Sequence, residues 1–201
     1  MIEPYFKTKL GKLYHGDCLD IMPELEPVDL VLTDPPYPDY HAKKYNYTEA
    51  PILYLDNFKC RQFVFWTAKE DFLLDYTAIH IWDKKMGCAS EYEQIFERNG
   101  GKQYKMFRNC PIQNKVCAQM VGDKFTGHPS QKPIHLIVEI LTKYAKAGWT
   151  VLDPFAGSGT TGQACEMLGC HEYVLIEREE KYCEIAAKRL EQEAQQLKLF
   201  N

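Results

Sequence analysis

Residues 150–162 read TVLDPFAGSGTTG, and the fold follows from how this stretch divides. The apolar run Trp149–Leu152 predicts a strand, and the residues from Thr161 to Leu168 predict a helix. Between them Gly157, Gly159 and Gly162 spell G-x-G-x-x-G, where the chain must turn tightly and let a ligand approach its backbone. Glu177 closes the next apolar run, Tyr173–Ile176. A carboxylate at that place can accept hydrogen bonds from both hydroxyls of a ribose, so loop and acid together predict a nucleoside-cofactor site. The pattern by itself fits NAD as well as other nucleosides, and it does not fit a phosphate-binding P-loop, because no Lys-Ser/Thr pair follows the last glycine.

Outward from this unit, apolar runs at Lys12–His15, Asp29–Thr33, Gln62–Thr67, Ala78–Trp82 and Tyr92–Glu97 predict further strands. Helical periodicity marks 134–145 and 180–195, and Pro133 suits the first turn of the former. The alternation predicts a single domain over 1–201: a doubly wound, mainly parallel, Rossmann-like sheet with helices on both faces. Two stretches lack clear periodicity, a mobile loop over 38–60 and a basic segment over 98–127.

Directly after the run Asp29–Thr33 stands Asp34-Pro35-Pro36-Tyr37. Two prolines cannot donate to a sheet ladder, so the strand must end there in a stiff turn. The turn offers the Asp34 carboxylate, the Pro35 carbonyl and the Tyr37 ring. Two acceptors can hold the two N–H bonds of an amino group on a planar base, and an aromatic face can stack on that base. A rigid loop whose aspartate caps its neighbours is the alternative reading of the same four residues.

Composition bounds the rest. Apolar residues make up 45% and charged residues 26% of the 201, an ordinary globular balance. Every apolar run is strand-sized, which excludes a bilayer span, and the first dozen residues hold no apolar core of signal-peptide length; the expected location is cytoplasmic, or a host's cytoplasm for a phage protein. The eight cysteines include no C-x-x-C pair, and the six histidines lie singly, so no metal site is expected and the histidines read as surface or loop residues. The net charge of −4 does not advertise a polyanion partner. Arg98, Lys102, Lys105, Arg108, Lys115 and Lys124 nevertheless face only Asp123 within 98–124, a local basic excess suited to nucleic acid. Lys43 and Lys44, among the tyrosines of the 38–60 loop, are further candidates for such contact.

Taken together these motifs resemble the amino-methyltransferases of DNA, in particular the circularly permuted beta class. There the Asp-Pro-Pro-Tyr motif precedes the cofactor loop, as here. Asp153-Pro154-Phe155-Ala156-Gly157-Ser158-Gly159-Thr160-Thr161 matches the family's cofactor motif, His128-Pro129-Ser130-Gln131-Lys132-Pro133 its preceding motif, and Gly16-Asp17-Cys18 with Asp29–Asp34 its N-terminal signature. The resemblance implies S-adenosyl-L-methionine as cofactor. It would be held by Phe155, Gly157, Ser158 and Gly159 at the methionine part, with Asp153 and Thr160 in the same motif. Glu177 would take the ribose, Asp17 or Cys18 the adenine, and Lys132 the methionine carboxylate. Asp34, Pro35, Pro36 and Tyr37 would receive a flipped base of double-stranded DNA, and Asp at the first motif position favours adenine N6 over cytosine N4. A target reader confined to the basic segment, with Lys102, Lys105 and Arg108, implies a short site, low specificity or help from a second subunit in a homodimer. An NAD-dependent oxidoreductase, and a methyltransferase acting on RNA or a protein amide, are the competing readings.

Overall fold

The computed structural model describes residues 2–37, 51–85 and 91–200, with side chains of the last helix described as far as 196. Nine strands form one sheet: β1 (Phe6–Lys7), β2 (Gly11–His15), β3 (Leu30–Thr33), β4 (Arg61–Trp66), β5 (Ala78–Asp83), β6 (Tyr92–Arg98), β7 (Met106–Arg108), β8 (Thr150–Asp153) and β9 (Glu172–Glu177). Their order across the sheet is β1-β2-β9-β8-β3-β4-β6-β5-β7. Strands β2, β9, β8, β3 and β4 run parallel, with pairs such as Leu30 opposite Val151 and Leu32 opposite Phe63. Strand β6 lies antiparallel between β4 and β5, and β7 extends the edge parallel to β5. The predicted, mainly parallel sheet is therefore present, with two reversed strands, β6 inserted within it and β1 at the edge beside β2.

All four residues of β3 are buried, as a strand covered on both faces requires. Alternate residues feed two cores. Leu30 and Leu32 pack with Phe63, Phe65 and the inner faces of α3 (Ile134–Tyr144), α4 (Thr160–Leu168) and α5 (Glu180–Phe200). Val31 packs with Val64, Trp66 and Leu152 beneath α1 (Cys18–Ile21) and the 3-10 turns Met22–Glu24 and Pro51–Asn57. Long helices thus cover one face, and short turns cover much of the other. Burying each of these aliphatic side chains stabilises the fold by about 1.5–3 kcal/mol.

The two aperiodic stretches differ from expectation. Within 98–127 the chain forms edge strand β7 and a short helix, α2 (Lys115–Met120), capped by Asn114. Both are too short for periodicity to show. Within 38–60, the turn at 51–57 buries Ile52 and Leu55, and residues 38–50 lie outside the described residues. Arg98 is also not part of a basic surface. It is buried and donates to the Asp75 carbonyl at 2.6 Å, to Gln62 Oε1 at 2.9 Å and to Asp56, tying the 51–57 turn to β6.

His80 and His171 are buried rather than on the surface. His80 sits on β5, accepts the Lys105 N–H through Nδ1 and meets Glu97 at 2.8 Å through Nε2. Burial holds its pKa below the usual value, which makes it a neutral core residue. Among the described residues no group of histidine, cysteine or acid side chains could hold a metal, and the described cysteines are free thiols. Also among them, no helix is long and apolar enough to cross a membrane.

Candidate active site

Because β2, β9, β8, β3 and β4 are parallel, their carboxyl ends share one edge of the sheet, where open sheets of this type bind ligands. Strands β3 and β8 are neighbours, which sets the Asp34 turn beside the glycine loop. The junction is fixed by Asp153. Its Oδ1 accepts from the Thr33 hydroxyl at 2.8 Å and from the Phe155 N–H at 3.2 Å, and its Oδ2 accepts from the Thr161 hydroxyl at 2.6 Å. Burial pushes its pKa up to about 6. With both oxygens engaged inside the protein, Asp153 acts as a brace beneath the loop.

The glycine loop takes the shape its sequence permits. Gly157 and Gly159 have φ of +53° and +76°, left-handed conformations that side chains rarely adopt. A Cβ on Gly159 would lie 2.7 Å from the Cβ of Ala186 on α5, and one on Gly157 would lie 3.0 Å from His128 Nε2. The Gly157 N–H donates to Glu177 Oε2 at 2.8 Å, and the Glu179 N–H donates to Oε1 at 2.8 Å. Burial raises the Glu177 pKa against these bonds. The Arg178 N–H also bonds this carboxylate, which lines the cavity and has remaining acceptor capacity for a ribose hydroxyl.

A cavity of about 300 Å³ opens above this edge. Its walls include Asp34, Pro35, Pro36 and Tyr37 from one motif and Phe155, Gly157, Ser158, Thr160 and Glu177 from the other, with Cys18 and Lys132 between. The expected residues of both motifs are thereby brought together except Gly159, which backs onto Ala186, and Asp17 of the N-terminal signature also lies outside the cavity lining. Cys18 is buried, and that burial pushes its thiol up to about 12, so it contributes shape rather than charge. Asp17 serves as the N-cap of α1, accepting from the Leu19 N–H at 3.0 Å, with Arg178 at 3.8 Å.

In the 128–133 motif the buried Gln131 side chain binds the Thr126 N–H at 3.0 Å and donates to the Lys124 carbonyl at 2.8 Å, so the loop is stitched closed. This directs Lys132 into the cavity, where its ammonium donates to Asp34 Oδ2. Tyr37 donates to Asp34 Oδ1 at 3.1 Å and sets its ring edge-on to Trp66, 5.2 Å away. Burial raises the Asp34 pKa, and the Lys132 ammonium opposes that rise. The Lys132 pKa is raised: burial disfavours its charge, but Asp34 and Glu93 outweigh that effect.

Several contributors escaped the sequence motifs. Glu93, at the start of β6, accepts from Lys84 at 2.6 Å and lies 3.5 Å from Lys132. Arg189 of α5 is buried beneath the glycine loop and donates to the Ser158 carbonyl at 2.7 Å, Ser158 Oγ at 3.0 Å and Thr160 Oγ1 at 3.1 Å. Tyr182 of α5 lines the cavity and meets the ring of His128, the first residue of the 128–133 motif, at 4.3 Å. A lone acid on a strand, or a lone Arg in a charged helix, carries no spacing that marks it.

Of the proposed DNA contacts, Lys102 is exposed. Lys105 pairs with Glu139, and Arg108, 60% exposed, lies 3.4 Å from Asp83. Lys43 and Lys44 lie outside the described residues.

Comparison with known proteins agrees with this geometry. The profile of the family described as DNA methylase, the N6/N4 methyltransferases, matches residues 61–188. The chain is 35% identical over 144 residues to the type II methyltransferase M2.DpnII of Streptococcus pneumoniae, covering 68% of this chain and 47% of that protein. It is 33% identical over 141 residues to M2.LlaDCHI of Lactococcus lactis subsp. cremoris, covering 67% and 45%. The chain thus spans about half the length of these two relatives. Among solved structures, the M1.HpyAVI–SAM complex superposes with a TM-score of 0.64 at 22% identity, covering 90% of this chain and 98% of that one. The cytosine-N4-specific PvuII DNA methyltransferase superposes with a TM-score of 0.67 at 16% identity, covering 94% and 89%. These two likenesses speak to the fold, a Rossmann-like methyltransferase sheet. With the profile spanning most of the sheet and both motifs at one cavity, the chain belongs to the DNA methylase family.

Proposed function

We propose that this protein transfers a methyl group from S-adenosyl-L-methionine to the exocyclic amino group of a flipped base in double-stranded DNA, with adenine N6 as the target atom. The observation that carries the reading is the bond between Thr33 and Asp153, which sets the amine-accepting turn against the nucleoside loop at a single cavity. S-adenosyl-L-methionine supplies a sulfonium methyl, an electrophile that needs no further activation. The amine would accept that methyl, leaving the cofactor as a neutral thioether, and would release one proton to solvent. The task of the protein is to place these atoms.

Asp34 and the Pro35 carbonyl take the two N–H bonds, which turns the nitrogen lone pair out of the ring. Tyr37, buttressed by Trp66, stacks on the base. Glu177 and Gly157 would hold the cofactor's ribose and methionine ends, Gly159 would let the loop turn against its helix, and Arg189 keeps the loop in shape. Extruding the base from the duplex costs about a few kcal/mol, which stacking in the cavity offsets. The exposed Lys102 and Arg108 suit phosphate contact. A homodimer reading a palindromic site, a cytoplasmic location and a place in restriction-modification fit the same reading.

The test is direct. Protein, S-adenosyl-L-methionine and unmodified duplex DNA are incubated, and the DNA is digested to nucleosides for mass spectrometry. N6-methyldeoxyadenosine is expected. N4-methyldeoxycytidine would move the assignment to cytosine, and methylation of RNA or protein in place of DNA would overturn it.

A further inference from the structure

Both oxygens of Asp34 are engaged, one by Tyr37 and the other by the Lys132 ammonium. The Lys132 ammonium therefore competes with a substrate amino group for that second oxygen. The ammonium cannot simply be released, because its side chain is only 12% exposed and an unpaired buried charge is costly. The fold provides a second carboxylate. Glu93 Oε2 is a buried oxygen that meets Lys132 Nζ at a long 3.5 Å and takes no other hydrogen bond among the described residues. The other oxygen of Glu93 is fixed by Lys84 at 2.6 Å, which keeps the acid from rotating away. A shift of less than about 1 Å would bring the ammonium to the 2.7–2.9 Å of a charge-assisted bond. The route is lined by aromatic faces, since Lys132 Nζ lies 5.1 Å from the Phe65 ring and 5.9 Å from the Trp82 ring.

We propose that Glu93 is a positioning residue that receives the Lys132 ammonium and so frees Asp34 to accept the substrate's amino group. The proposal rests on the reading of Asp34 as the amine acceptor. Glu93 touches no reacting atom; it acts through Lys132. Its role is to keep the Lys132 ammonium paired with a carboxylate while the neutral amino group of the base takes its place at Asp34.

Two experiments test it, one of them independent of methylation. In a crystal structure of Asp34→Asn, Lys132 Nζ is expected within 3.0 Å of Glu93 Oε2; an ammonium still on residue 34, or turned to solvent, would overturn the proposal. In steady-state assays with duplex DNA and S-adenosyl-L-methionine, Glu93→Gln is expected to lower kcat about tenfold, with the DNA KM and calorimetric cofactor affinity unchanged within about twofold and partial recovery in Glu93→Asp. An unchanged kcat, or a loss that follows cofactor affinity, would overturn it. A wild-type protein that methylates no DNA would instead sink the functional reading, while the crystallographic result still decides where Lys132 goes.

Discussion

The hydroxyl of Thr33 donates to Oδ1 of Asp153 at 2.8 Å across 120 residues of chain, and both side chains are buried. One ends the strand before the proline turn, and the other ends the strand before the glycine loop. This bond, with those from Thr161 and the Phe155 N–H, makes Asp153 the joint between the two halves of the site.

That joint predicts a pH dependence. The Asp153 carboxyl ordinarily titrates near 3.8 and is pushed up to about 6 in the fold, so the folded state binds its proton more tightly than the unfolded state. Between about pH 4 and 6 stability therefore falls as pH rises, with a full cost on the order of 2–3 kcal/mol present above pH 6. Urea unfolding at pH 4.5 and pH 7 measures this difference. Asp153→Asn is expected to shrink it, whereas Asp153→Leu strands both threonine hydroxyls and is expected to destabilise by about 2–4 kcal/mol at pH 7.

Gly159→Ala meets two obstacles, a φ of +76° and a Cβ placed 2.7 Å from that of Ala186. The loop must shift off α5, and the expected result is a loss of about 1–3 kcal/mol in stability. Cofactor affinity measured by calorimetry is expected to fall more than tenfold, about 1.4 kcal/mol or more. Gly162→Ala crowds Leu175 and Leu190 behind the loop and is expected to lower stability more than affinity.

The turn residues separate binding from placement. Asp34→Ala is expected to reduce methyl transfer at least about a hundredfold with a smaller effect on cofactor affinity, because it removes the acceptor for the amine while Lys132 keeps Glu93 as a partner. Tyr37→Phe keeps the ring that stacks on the base and loses the bond to Asp34, so a modest decrease is expected. Tyr37→Ala removes the stacking face and is expected to cost about 1–3 kcal/mol in transition-state stabilisation, read from single-turnover rates.

For DNA binding, the salt dependence distinguishes the basic residues. Lys102→Ala and Arg108→Ala are expected to weaken duplex binding and flatten the plot of log affinity against log salt by roughly 0.9 per lost phosphate contact. Lys105→Ala is expected to do less, since Glu139 already neutralises that ammonium. Fluorescence anisotropy at several salt concentrations measures all three.

The local order of this protein was legible in its sequence. Trp149–Leu152, the glycines after it and the two prolines after Thr33 each carry their consequence in their own chemistry: a run of apolar residues buries, a glycine turns left-handed, a proline ends a ladder. The alternation of these runs with helical patterns gave the parallel sheet, and the two motifs gave two walls of the cavity. What the chain order could not convey was adjacency. Strand β3 lies beside β8 because five parallel strands are ordered by packing and not by sequence, and only that neighbourhood turns Asp153 into a joint. It likewise brings Lys132 to Asp34, sets Glu93 beside Lys132, and places Arg189 beneath Ser158. Charge misled for the same reason: Arg98 read as surface until the 51–57 turn closed over it. Spacing specifies what a segment becomes, but the partners of a buried charge are set by whichever elements the core draws together.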